Sequence, residues 1–284
     1  MWRAIVALFG AALAGSPAFA QPVEGRLKTV LDTATLRIAY RTDSRPFSYL
    51  DAQGRPTGYT IDLCQHVAKS LEKELRVPLA IKWVPVDTRN RFQAIIDGTA
   101  DMECGSTTVS LSRMKLVDFS TVVFADSTGV LVKSDMGINS FDGMAGRKIG
   151  VIAGSTNARA IRGQLERRKL AATLVEFVDR EEALASLRRG AVDGFATDKL
   201  VLLALTQAAD AREFTLLPDD LSFEPFAIMV PRGDWAFRLA VNTGLAEVFR
   251  SGEVILIYNM YFSSVAWRPS VWLGAVFAFG GLPE

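Results

Sequence analysis

The sequence predicts an α/β protein of two similar lobes, each built on a βαβαβ plan and joined to the other by a two-strand hinge. Three observations carry this reading. Strand-like and helix-like apolar periodicities alternate along the chain. The same order of five elements occurs twice, once within residues 36–104 and once within 148–196. Two extended runs, 122–133 and 222–230, flank the second set, so the chain can leave the first lobe and return to it.

In the first half, residues 36–40 read as a strand, 58–75 as an amphipathic helix and 79–84 as a second strand. Residues 90–97 make a short helix closed by Gly98, and 101–104 a third strand. In the second half, 148–152 is a strand, 156–168 a helix and 173–178 a strand, followed by a helix at 181–189 closed by Gly190 and a strand at 193–196. The run Ile96-Asp97-Gly98-Thr99-Ala100-Asp101 even resembles Arg188-Arg189-Gly190-Ala191-Val192-Asp193. A helix of 235–250 and an apolar stretch to Phe262 finish the body. Open α/β sheets bind ligands beyond the C-terminal ends of their strands, so a site in the cleft between the lobes is expected.

The ends lie outside this plan. Arg3, the apolar run 4–14 and Ala18-Phe19-Ala20 fit a secretory signal peptide cleaved after residue 20. The expected division is then lobe 1 from 21 to 126, lobe 2 from 127 to 221, completion of lobe 1 by 222–265, and a C-terminal tail of 266–284. The tail is apolar, with Trp267 and Trp272, and is too short to span a bilayer. Nothing in the sequence says where it goes.

Basic and acidic residues balance, 32 against 31, and the leader holds only Arg3 among them. That excludes the strongly basic surface typical of nucleic-acid binders. Cys64, Cys104 and His66 are the sole soft metal ligands, too few for a zinc site. Cys64 shares the apolar helix face of Ile61, Val67, Ala68 and Leu71, and Cys104 ends a strand. An exported chain can form a disulfide, but two buried free thiols are the expected state, since free cysteine packs as a small hydrophobe. His66 falls on the polar face with Asp62, Lys69 and Lys73 and is expected in solvent.

No nucleophile elbow, phosphate loop or metal-ligand spacing is present. Arginines and hydroxyls at strand ends and helix starts are present instead. Arg41 follows the first strand; Thr88 and Arg91 open the short helix; Gly105-Ser106-Thr107-Thr108 follows the third strand, with Arg113 beyond; and Gly154-Ser155-Thr156 opens a helix in the second half. Arginine grips a carboxylate through two parallel hydrogen bonds, and a helix N-terminus favours an anion. Singly, each has a plainer reading as a solvated arginine or a helix cap. Together they point to anion recognition.

The runs Arg41-Thr42-Asp43-Ser44-Arg45-Pro46-Phe47-Ser48-Tyr49, Gly58-Tyr59-Thr60-Ile61-Asp62 and Glu103-Cys104-Gly105-Ser106-Thr107-Thr108 resemble the family 3 extracellular solute-binding proteins of ABC uptake systems, most closely the glutamate/aspartate-binding branch. The similarity runs from about Leu27 to Phe262. It implies a type II periplasmic-binding-protein fold and a monomer that captures an amino acid by hinge closure. A permease in the inner membrane is the implied partner, and no cofactor is needed. Arg113 resembles the clamp for the ligand α-carboxylate, assisted by Thr108 and Thr156. Ser106 and Asp198 resemble the α-amino partners, and Arg41, Thr88 and Arg91 the side-chain carboxylate pocket. Branches that bind basic amino acids typically carry an acid at the position of Arg41, so arginine there implies an acidic ligand. Two departures stand out. Arg180 occupies a position where this branch can present a histidine to the side-chain carboxylate, and Thr60 stands where the wider family often has an acid. A cyclohexadienyl dehydratase-like enzyme or a ligand-sensing receptor module on the same scaffold are the alternatives; the first needs a general acid in the cleft, the second a membrane tether.

Overall fold

The computed structural model describes residues 23–207, 212–263 and 271–283. The expected signal peptide lies outside these residues. The chain opens with α1 (Gly25–Thr33) and β1 (Thr35–Arg41), then a three-stranded meander of β2 (Asp43–Ser44), β3 (Ser48–Leu50) and β4 (Pro56–Thr57). Next come α2 (Tyr59–Leu75), β5 (Ala80–Val86), α3 (Arg91–Ile96), β6 (Met102–Cys104) and the long β7 (Asp118–Asp126). Through Ser127 the chain passes into β8 (Thr128–Lys133) of a second sheet, continued by β9 (Lys148–Ile152), α4 (Thr156–Arg168), β10 (Thr173–Phe177), α5 (Arg180–Arg188), β11 (Gly194–Asp198), α6 (Lys199–Gln207) and β12 (Phe214–Leu216). It returns as β13 (Glu224–Val230), followed by α7 (Trp235–Arg250), α8 (Glu253–Phe262) and α9 (Val271–Gly280).

Two five-stranded sheets result, ordered β5-β1-β6-β13-β7 and β10-β9-β11-β8-β12. In the first, β1 runs parallel to β5 and β6, while β13 is antiparallel to both β6 and β7. In the second, β9 is parallel to β10 and β11, and β8 is antiparallel to β11 and β12. The parallel strands therefore present their C-terminal ends to the cleft, where Arg41, Cys104, Ile152 and Asp198 sit.

The expected run 122–133 is two strands rather than one, broken at Ser127, because its halves belong to different sheets. Asp126 fixes the break. Its carboxylate accepts from the N–H of Ser127 at 2.8 Å and of Leu200, at the start of α6, at 3.2 Å. Beneath the crossing lies an aromatic hub. Phe47 packs edge-on against Phe124 of β7 (4.9 Å) and Phe226 of β13 (5.1 Å), and the Tyr59 hydroxyl donates to the Val123 carbonyl at 3.0 Å. Three apolar faces meet there, so the return strand cannot slide without opening a cavity.

The apolar tail finds its place as α9, laid along β7 and α7. Leu273 is fully buried, and the Phe277 ring lies 5.9 Å from Phe249 and 5.7 Å from Tyr258. Trp267 falls outside the described residues. His66 is less solvated than its helical face suggested: its side chain is 23% exposed, with Nε2 3.4 Å from the Glu253 carboxylate of α8.

Cys64 and Cys104 form a disulfide, which corrects the expectation of free thiols. Both are fully buried, as read, but α2 packs over β6 and sets their Cα atoms 6.5 Å apart. Burial on one shared interface, which single-element periodicity cannot reveal, brings the sulfurs together. The bond closes a loop of 40 residues. Replacing both cysteines by alanine should therefore cost about 2–4 kcal/mol of stability, read as a lower midpoint in chemical denaturation; an unchanged midpoint would show that the tie adds nothing to packing.

Candidate functional site

Arg41, the last residue of β1, is almost wholly buried, at 1% exposure. Its Nη2 donates to Asp43 at 2.6 Å, while Nε and Nη1 are buried without a partner. Arg91 opens α3 and donates through Nη1 to the Thr107 hydroxyl at 2.8 Å; that hydroxyl donates to Glu103 at 2.7 Å. Gly105 makes this crowding feasible, since a Cβ there would collide with the Glu103 carboxylate. Arg113 lies in a 3₁₀ turn and donates to the Thr108 carbonyl at 2.7 Å. The Phe92 ring lies 5.3 Å from each of the Arg91 and Arg113 guanidiniums, at cation–π distance. The Ser106 hydroxyl meets that of Ser44 at 2.7 Å, and Thr88 is buried with its hydroxyl unpartnered.

The second lobe supplies the opposite wall. Ser155 caps α4 by accepting from the Ala158 N–H, which leaves the Thr156 side chain to face the first lobe. Thr156 lies 3.1 Å from Thr108, and both hydroxyls donate to Oε2 of Glu224, at 2.7 and 2.6 Å. Either hydroxyl must turn from Glu224 before it can serve a ligand. Arg180 is the first residue of α5, one position earlier than the helix expected from 181, and its Nη1 donates across the cleft to Asp43 at 3.0 Å. Its Nη2 is 3.9 Å from Asp198, which ends β11 and accepts from Asn157 at 2.9 Å. A chain of contacts and charge interactions thus joins Arg41, Arg91, Thr108, Arg113, Thr156, Arg180 and Asp198; Ser106 is bonded to Ser44 instead, and Thr88 lies buried just before α3 without a bonded partner.

Five residues of this constellation escape a reading for arginines and hydroxyls: Asp43, Glu103, Asp126, Asn157 and Glu224. Glu103 and Glu224 did carry a signal. Each is an acid set between apolar neighbours in a strand, and such a residue is buried only when paired.

Burial sets the electrostatics. Desolvation lowers the Arg41 guanidinium to about 10; Arg180 and Arg91 add repulsion, and Asp43 and Glu103 offset part of it. Arg91 falls to about 10 by desolvation and the nearby Arg113. Desolvation pushes the Asp43 carboxyl up, but the Arg180 and Arg41 guanidiniums outweigh it and hold the group below its ordinary value. At the other end, desolvation and Glu224 raise Asp198 to about 6, against the pull of Arg180. Asp126 rises well above the usual carboxylate range through desolvation and repulsion from Asp198. Cations and acids interleaved in one cleft suit a small zwitterion. Among the described residues, no group of three or more histidine, cysteine, aspartate or glutamate side chains could hold a metal ion.

A family model for bacterial extracellular solute-binding proteins, family 3, matches residues 36–264. The chain belongs to that family. This solute-binding protein is similar to the L-glutamate/L-aspartate-binding protein of Pseudomonas aeruginosa, at 33% identity over 89% of this chain and 85% of the relative. It is 26% identical to the glutamate/aspartate import solute-binding protein of Escherichia coli, covering 92% of this chain and 87% of that one. Among solved structures, an ancestral arginine-binding protein bound to glutamine superposes with a TM-score of 0.73 at 27% identity, covering 81% of this chain and 99% of the other. The fold is that of the type II periplasmic binding proteins. Among the described residues, no helix is long and apolar enough to cross a membrane.

The raised Asp198 gives a test with a definite sign. A carboxyl whose folded-state pKa lies above its unfolded value disfavours folding once ionised, so its cost is full above about pH 6. Asp198→Asn keeps an oxygen for Asn157 and should raise the Tm of the ligand-free protein at pH 7.5. That gain should shrink as pH falls through 6 and vanish near pH 4. A lower Tm for the variant at pH 7.5 would mean that the Arg180 contact outweighs desolvation.

Proposed function

We propose that the protein captures a free acidic amino acid, glutamate or aspartate, in the cleft and delivers it to an ABC permease. The coarser role, solute-binding component of amino-acid ABC transport, follows from its family and relatives. In the finer reading, Arg113 takes the α-carboxylate with Thr108 and Thr156, while Asp198 and Ser106 take the α-ammonium. Arg41, Thr88, Arg91 and Arg180 take the side-chain carboxylate.

One observation carries the acidic choice. These four side-chain-pocket residues all hold buried polar atoms without a partner: Nε and Nη1 of Arg41, Nε of Arg91 and of Arg180, and the Thr88 hydroxyl. Each can donate, and a carboxylate offers four lone-pair sites to meet them, whereas an amide oxygen offers two. The names of the two bacterial relatives point the same way. The segment 1–20 would direct export to the periplasm, where a monomer meets its permease by mass action. The relatives are transport proteins, so capture without covalent chemistry is the role they support.

A second reading, a neutral amide such as glutamine, is favoured by one feature: Asp43 already pairs with Arg41 and Arg180. Calorimetric titration of unfolded and refolded protein with glutamate, aspartate, glutamine and asparagine separates the two. An acid should bind most tightly, and lysine and arginine should hardly bind. Glutamine binding as well as glutamate would discard the acidic reading.

Two variants test the division of labour. Arg113→Ala should weaken every amino acid by about 2–5 kcal/mol, whatever its side chain, because it strips the α-carboxylate of its buried partner. Arg41→Ala should instead narrow the gap between acid and amide more than it lowers amide affinity. Near-normal binding by the first variant, or equal losses for both ligands in the second, would reassign those arginines.

A further inference from the structure

We propose that Asp43 is a specificity-determining residue, a counter-ion built into the side-chain pocket that bridges Arg41 and Arg180 and so moderates the preference for anionic over neutral side chains. The proposal rests on the reading of that pocket as the ligand side-chain site.

The geometry that carries it lies in three residues from two lobes. The two carboxylate oxygens of Asp43 are divided: one accepts from Arg41 Nη2 at 2.6 Å, the other from Arg180 Nη1 at 3.0 Å. Arg41 ends β1 of the first sheet, and Arg180 begins α5, which packs on the second. The contact with Arg180 can thus form only when the lobes meet. Both arginines are nearly wholly buried, and the Asp43 side chain keeps 13% of its exposure. Two guanidiniums desolvated side by side repel each other unless an anion lies between them. Here the anion is part of the protein.

That alters what a ligand meets. With Asp43 in place, Arg41 keeps Nε and Nη1 for a ligand, and Arg180 keeps Nε, but half the positive charge of this pair is already neutralised. An incoming carboxylate feels the two arginines and also the like charge of Asp43; an incoming amide feels no such repulsion. The acid-to-amide ratio is then set by three groups rather than by a count of arginines. Asp43 also belongs to the first lobe, so the second-lobe arginine is enlisted at closure, whichever ligand is bound.

Asp43→Asn keeps the shape and removes the charge. Paired titrations of wild type and variant with glutamate and glutamine should show the ratio of the two dissociation constants moving toward glutamate by on the order of tenfold in the variant, mostly through tighter glutamate binding. The same shift should appear with Asp43→Ser, which guards against a fold-specific effect of asparagine, and thermal melts of both variants confirm that they fold. An unmoved ratio, with both ligands weakened alike, overturns the proposal and leaves Asp43 as a latch between lobes. A ratio that moves toward glutamine overturns it too. The wild-type arm alone judges the acidic reading: a wild type that prefers glutamine discards that reading, while a variant that then swings toward glutamate still upholds the role of Asp43. A wild type that binds neither ligand sinks both.

Discussion

Four guanidiniums buried between two lobes are the constraint around which the rest of the cleft is arranged. Arg41, Arg91, Arg113 and Arg180 are each at most 6% exposed. An isolated buried charge is costly, and like charges in a confined space add to the cost. The structure answers with carboxylates at every turn: Asp43 between Arg41 and Arg180, Glu103 near Arg41, Arg91 and Arg113, and Asp198 and Glu224 within range of Arg113. Hydroxyls link these charges, with Thr107 joining Arg91 to Glu103 and Thr108 and Thr156 sharing Glu224. Near the hinge, desolvation first and the crowding of the acids second raise Asp126 and Asp198. The cleft is a lattice of opposite charges, and an amino-acid ligand brings both signs to it.

The fold was largely legible because it rests on patterns that one element carries alone. The amphipathic face of residues 61–71, the helix-closing glycines at 98 and 190, and the twofold recurrence of strand and helix all survive in the structure. What depends on two distant segments was not legible. The Cys64–Cys104 bond needs α2 to lie over β6, and periodicity shows that each cysteine faces inward but not that both face the same place. The helices α1 and α6 were missed: α1 shows only Leu27 and Val30 inside, and α6 follows β11 without a break that a turn residue would mark. The tail was unreadable because α9 is apolar on every side, so it lacks the polar stripe that tells a surface helix from a buried strand.

The candidate site was half legible for a related reason. Arginines and hydroxyls at strand ends advertise a function because they have no place in a core. Their acidic partners do not advertise themselves. Asp43 lies in the same run as Arg41, and Asn157 adjoins Thr156, but a lone Asp or Asn in a turn usually means a turn. Their part emerges only when Arg180 arrives from the other lobe and Thr128 from the hinge, the latter accepting from Asn157 at 2.8 Å. Nor does a count of arginines show that an acid stands between two of them.

The order of strands in the first sheet also dictates an order of assembly. β13 is an interior strand there, between β6 and β7, yet it is made only when synthesis reaches residues 224–230. The second sheet draws all five of its strands from residues 128–216, so its last strand is synthesised before that one. As the chain emerges, the later lobe therefore has a complete sheet before the earlier one does. Until β13 arrives, β6 and β7 each show an unpaired edge, the kind of surface that invites wrong pairing. The bond between α2 and β6 falls wholly within the part already made, and can hold the waiting half-lobe in register until its missing strand inserts.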